Sequence, residues 1–158
     1  MASTFVYVTY IRTTPERLWE ALIKPEFTRQ YWFGVTHESD WKPGSPWKMV
    51  GEKGTVTDAG EVLESDPPKR LVLKWRNEFV PEMTAEGYTR CTFEIVPSGD
   101  ATELRVTHTI DRDNSKTIAA VTGGWPKVLS GLKTLLETGA ILDFTNTGAG
   151  ARSQPKSG

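Results

Sequence analysis

The chain is expected to fold as a small α+β domain, an antiparallel sheet closed by one long C-terminal helix. Three observations predict it. Apolar and polar residues alternate with period two from Trp32 to Ile110, broken by polar turns. An apolar stripe at helical spacing then runs from Trp125 to Leu136. The 158 residues suffice for one domain with no length for a second, so sheet and helix must share a core.

Residues 5–12 (FVYVTYIR) are aromatic and β-branched and read as the first strand. Thr14 is placed to cap a helix, Pro15 suits its first position, and residues 17–23 continue it with Leu18, Trp19 and Leu22 on one face. Pro25 ends that helix, and residues 26–31 form a second short one. Strands are expected over 47–52, 55–64, 71–76, 89–96 and 102–110, with turns at Pro43-Gly44-Ser45-Pro46, Asp66-Pro67-Pro68-Lys69 and Ser98-Gly99-Asp100. Residues 77–87 are less regular and read as a long hairpin tip.

The alternation assigns faces. Leu71, Leu73 and Trp75 oppose Lys74 and Arg76. Cys91, Phe93 and Ile95 oppose Arg90, Thr92 and Glu94, while Leu104, Val106, His108 and Ile110 oppose Arg105 and Thr107. A sheet with one apolar side is covered on that side alone. The cover is the closing helix, whose apolar residues Trp125, Val128, Leu129, Leu132, Leu135 and Leu136 form one stripe. Gly123-Gly124 are expected to precede this helix, Pro126 to sit in its first turn and Gly139 to stop it, with residues 115–122 adding a turn or two. The domain is thus expected over 1–143. The Gly/Ser/Pro-rich residues 144–158 read as a flexible polar tail.

Composition removes several functions. Nineteen basic residues meet twenty acidic ones without a basic cluster, so no nucleic-acid partner is expected. No apolar stretch reaches the roughly 20 residues of a membrane span. The first residues lack a basic region followed by an apolar run, so the cytoplasm is the expected location. Cys91 is the single cysteine, which rules out an intramolecular disulfide and a cysteine metal cage. Its place beside Phe93 makes it a small buried hydrophobe. His37 and His108 sit on distant segments without metal-ligand spacing, so neither metal nor other cofactor is expected. Gly51-Glu52-Lys53-Gly54 reads as a hairpin turn, because no helix follows to meet a phosphate.

Six tryptophans stand out: Trp19, Trp32, Trp41, Trp47, Trp75 and Trp125. They either fill a sheet–helix interface or line a cavity for a flat, greasy ligand. His108 on the inward face reads either as a core histidine tied to a carbonyl or hydroxyl, or as a cavity partner able to move protons.

Taken in order, TTPERLWEAL, YW, DWKPGSPWKM, GEVLESDPPKRLVLKW, TELRVTHT and GGWPKVLSGLKTLLE resemble one family. It is the activator-of-heat-shock-protein-90-ATPase-like branch of the START and birch-pollen-allergen superfamily. The resemblance runs from about Phe5 to Gly139. It implies the helix-grip fold, a curved seven-stranded sheet in the order β-α-α-β-β-β-β-β-β-α wrapped round the closing helix. Superfamily members hold lipids, sterols, plant hormones or polyketides between sheet and helix. The cavity candidates here are then Trp32, Trp47, Met49, Leu73, Trp75, Tyr88, Cys91, Phe93, Val106, His108, Trp125, Leu129 and Leu132.

Three functions follow. The first is binding of a hydrophobic small molecule by a monomer or homodimer. The second, implied by the co-chaperone that names this branch, is action on a chaperone or other protein in a stress response. The third is a cyclase or hydrolase using the same cavity with His108 as acid or base.

Overall fold

From the second strand onward each strand pairs with the next in sequence, and the first strand pairs with the last. The computed structural model describes residues 2–144, so most of the expected tail lies outside the described residues. The elements are β1 (Ser3–Ile11), α1 (Pro15–Ile23), α2 (Pro25–Tyr31), β2 (Thr36–Ser39), β3 (Pro46–Val50) and β4 (Val56–Asp66), followed by β5 (Arg70–Asn77), α3 (Pro81–Glu86), β6 (Thr89–Ser98), β7 (Ala101–Ile110) and α4 (Lys116–Thr138). The strands form one antiparallel sheet in the order β1-β7-β6-β5-β4-β3-β2. This is the α+β arrangement of sheet and closing helix that the alternation and the apolar stripe predict, in the helix-grip form that the resemblance implies.

Local signals start and stop the elements as physics requires. Thr14 Oγ1 accepts from the Arg17 N–H at 3.2 Å, and Pro15 opens α1 at a position that needs no donor. Pro25 forces Lys24 into an extended conformation, so α1 ends there and α2 starts on a new axis. The expected inward faces of β5, β6 and β7 are buried, and Trp125, Val128, Leu129, Leu132 and Leu135 of α4 pack above them. Each fully buried leucine contributes about 1.5–3 kcal/mol. No helix among the described residues is long and apolar enough to cross a membrane.

Three expectations need correction. The closing helix begins at Lys116, nine residues before the first residue of its apolar stripe, and Gly123, Gly124 and Pro126 lie inside it. Ser115 caps it by accepting from the Ile118 N–H at 3.0 Å, and that start outweighs the interior helix breakers. The 77–87 segment is not an irregular tip, because it contains α3. Asn77 Oδ1 accepts from the Phe79 and Val80 N–H groups, at 2.8 and 2.7 Å, and turns the chain into that helix. Finally β2, which the residue pattern does not mark as a separate strand, pairs with β3 along Thr36–Ser39. Four residues are too few for alternation to show.

Register places the aromatic residues. Trp47, Gly60 and Trp75 are neighbours in one row across β3, β4 and β5. With no side chain between them, the two indole rings reach each other across β4, at 4.6 Å between centroids. A Cβ at Gly60 would lie 1.7 Å from the Lys74 carbonyl oxygen, so β4 and β5 could not keep their pairing. Gly60→Ala is therefore expected to cost about 3 kcal/mol or more in chemical denaturation. A loss under about 1 kcal/mol would show that the strands part there freely.

Candidate functional site

An indole N–H donates and never accepts, so every buried tryptophan needs an acceptor. Three rings in the core find one. Trp47 Nε1 donates to His37 Nδ1 at 3.0 Å, Trp75 Nε1 to Asp58 Oδ2 at 2.7 Å, and Trp125 Nε1 to His108 Nδ1 at 3.1 Å. With Nδ1 accepting, the neutral His108 carries its proton on Nε2. That nitrogen lies 2.7 Å from Thr89 Oγ1, whose own hydroxyl donates to the Trp75 carbonyl at 2.7 Å. The chain of donors therefore runs from α4 through β7 and β6 to β5. Burial lowers both histidines to about 3, and a proton on either Nδ1 would face an indole N–H.

Above this layer lies a cavity of about 180 Å³. Its floor follows from register, since Met49, Asp58 and Asn77 are neighbours on β3, β4 and β5, one pair along from the Trp47–Gly60–Trp75 row. Trp75 completes the floor, and Trp32 and Phe33 form one side. Phe33 holds a left-handed φ of 50° and is 53% exposed, which places it at the rim. The roof is the first half of α4, with Thr117, Ala120, Val121, Gly124, Trp125 and Val128. Gly124 keeps the space open, because a Cβ built there meets no atom within 4 Å. Met83 on α3 closes the remaining side.

The position of α3 is set by Glu86 at its end. The Glu86 carboxylate accepts from Ser115 Oγ at 2.6 Å and from the Lys116 and Thr117 N–H groups at 2.7 and 3.2 Å, capping α4. Burial alone would raise this carboxyl, but the hydrogen bonds outweigh it and hold it down to about 2.

Four of the sequence candidates line the cavity: Trp32, Met49, Trp75 and Trp125. Trp47, Leu73, Cys91, Phe93, Val106, His108, Leu129 and Leu132 are buried in the core but are not among its lining. Tyr88 is 41% exposed and lies under the Lys74 and Arg76 cations, each 4.6 Å from its ring centroid, on the far face of β5. Sequence reading missed Asp58, Asn77, Met83, Thr117 and Gly124. Asp58 had a signal, since it shares its face of β4 with Gly60 and Val62 and thus points inward. Among the described residues no group of His, Cys, Asp or Glu is arranged to hold a metal ion.

A model of the family described as Activator of Hsp90 ATPase homolog 1-like protein matches residues 12–137. The chain belongs to that family. Solved structures show the same fold. The chain superposes on protein MLL2253 from Mesorhizobium loti with a TM-score of 0.74 at 25% identity, covering 88% of this chain and 100% of that one. ChR145 from Cytophaga hutchinsonii gives 0.67 at 28% identity, over 87% and 95% of the two chains. The Aha1 dimer from Colwellia psychrerythraea gives 0.68 at 20% identity, over 87% and 98%, a likeness of fold. Comparison with curated proteins finds no match.

Two predictions follow from the indole–imidazole pairs. Trp125→Phe leaves His108 Nδ1 buried without a donor and should cost about 1–3 kcal/mol in chemical denaturation, beyond any loss of packing. An unchanged midpoint would mean that the pair carries no stability. The second concerns pH. Below its ordinary 6.5 each histidine binds a proton in the unfolded chain, while the folded chain binds none until about 3. Folding stability should therefore fall as pH drops through that window, by up to about 1.4 kcal/mol per pH unit for each histidine. Asp58, raised by burial, opposes this with a single proton in the lower part of the window. Stability that stays flat from pH 6.5 to about 5 would show that the two rings are accessible to protons in the folded state.

Proposed function

We propose that the protein is a binding module that takes a small, largely apolar molecule into the cavity between α4 and the sheet. One observation carries this reading: a wall of three tryptophans beside a buried carboxylate, under a roof held open by Gly124. A packed core would fill such a gap, since each missing contact costs stability. The volume of about 180 Å³ is below the roughly 300–1,000 Å³ of drug-sized sites and near the roughly 150 Å³ that admits benzene. The guest is then a molecule of about one ring, smaller than a sterol or lipid.

Catalysis through His108 has no support in this geometry, because both ring nitrogens are engaged inside the core. A protein-partner role has one observation in its favour. Val6, Val8 and Tyr10 stand exposed along one face of β1, an edge strand, where a partner could cover them.

Filling the cavity tests the reading. Gly124→Leu should weaken binding of a one-ring apolar probe such as ethylbenzene, followed by tryptophan fluorescence, by about tenfold or more. The melting temperature should hold or rise, since leucine favours the helix by up to about 1 kcal/mol over glycine. Native mass spectrometry of freshly purified protein should show a small molecule retained by the original chain and absent from the variant. Unchanged affinity in a folded variant would place the binding site elsewhere.

A further inference from the structure

The cavity is negative on every side that carries charge or a π face. Among the described residues Asp58 is the only charged one in its lining, and no Lys, Arg or His joins it. Glu78 also bears on Asp58, and its negative charge raises that carboxyl further. Arg76 lies on the far face of β5 over Tyr88, where two of its N–H groups donate to the Glu78 carboxylate. The positive end of α4 is already occupied by Glu86. The walls are Trp32, Trp75 and Trp125, and indole faces attract cations.

The hydrogen-bond capacity agrees in sign. The Trp75 indole uses one lone-pair site of the Asp58 carboxylate, which can accept about four hydrogen bonds, so capacity is left for a guest. Thr117 is buried at the roof, where its hydroxyl can donate toward the Glu86 carboxylate and its oxygen keeps lone pairs to accept. Asn77 has already spent its oxygen on the Phe79 and Val80 N–H groups. Beside the Asn77 amide N–H groups, which can only donate, the lining thus offers two side-chain acceptors, one of them anionic. An alcohol brings one donor to them, and a carboxylate brings none. A primary ammonium brings three, together with a charge.

On the reading that the cavity binds a small molecule, we propose that its ligand is a protonated amine on an apolar body of about one ring, with the ammonium at Asp58 and Thr117 and the body against Trp32, Trp75 and Trp125. Burial raises the Asp58 carboxyl in the empty cavity, and a bound cation would stabilise the carboxylate against that desolvation.

Three probes of one shape test the ligand class on the full chain: 2-phenylethylamine, 2-phenylethanol and phenylacetate, each titrated by calorimetry at pH 7. The amine should bind about tenfold or more tighter than the alcohol, with phenylacetate weakest. In Asp58→Asn the carboxamide oxygen can still accept from the Trp75 indole, so the core is kept. Its amine affinity should drop to about that of the alcohol, so that the preference for the amine is lost. If that variant does not fold, the amine-to-alcohol ratio of the original chain decides alone. Equal binding of amine and alcohol would overturn the amine assignment and leave a ligand-binding cavity standing. An amine preference that survives in a folded Asp58→Asn would overturn the role of Asp58. Failure of all three probes to bind would overturn the binding reading and this inference with it.

Discussion

Inside the core the closing helix is held to the sheet by a directional chain of hydrogen bonds, from the Trp125 indole through His108 and Thr89 to the Trp75 carbonyl, while Lys133 and Glu137 bond to the Tyr10 carbonyl and the Arg12 N–H near its other end. Leucine packing alone would let α4 rotate by part of a turn at small cost, because apolar contact has no direction. The indole–imidazole bond does not allow this. It lies in a dry core where an unmet donor is expensive, and it pins one side of α4 to β7. The first half of α4 is the roof of the cavity, so the shape of the site depends on that bond. His108 therefore serves the site as a support beneath it.

Given that anchor, the roof can be weak as a helix and still hold its place. Gly123, Gly124 and Pro126 all lie in the interior of α4. Glycine costs about 1 kcal/mol and proline about 3 kcal/mol in such positions. Two features at the start of the helix offset this, the Ser115 cap and the Glu86 carboxylate on the first free N–H groups. The same carboxylate fixes α3, and with it Met83 on the cavity wall. One side chain thus stabilises the helix start and sets the position of a wall.

The fold was legible because its signals are periodic. Strands β5 to β7 alternate apart from Val72 and Thr92, which are buried on the other face, and the stripe from Trp125 to Leu135 matches the buried face of α4. The start of α4 was not legible, because Gly123-Gly124 followed by Pro126 is the ordinary signature of a helix beginning. What overrides it is a long-range contact, Glu86 to Lys116, that no local pattern encodes. The site was legible only in part for a related reason. Alternation identifies which side chains point inward, which is why Trp75 and Trp125 were found. It does not separate inward residues that meet protein, such as Leu73 and Phe93, from those that meet a gap. That distinction depends on what is missing opposite them, here the side chain of Gly124. Asp58 was passed over because hydrophobic patterning selects apolar residues, and an inward carboxylate breaks the pattern.

That break separates function from architecture in the aromatic core. The donor-only chemistry of indole obliges the fold to supply an acceptor for each buried ring. Trp47 and Trp125 are met by His37 and His108, neutral imidazoles that accept a hydrogen bond without bringing charge into the core. Trp75 could have been met in the same way. It is met by a carboxylate, whose burial is far more costly. The two neutral acceptors are not among the residues lining the cavity, whereas Asp58 is. An acceptor that only had to satisfy an indole would be chosen for low cost, so the charge on Asp58 exceeds what packing requires. Folds keep such excess where a site uses it, and the cavity is the place where a guest of opposite charge could do so.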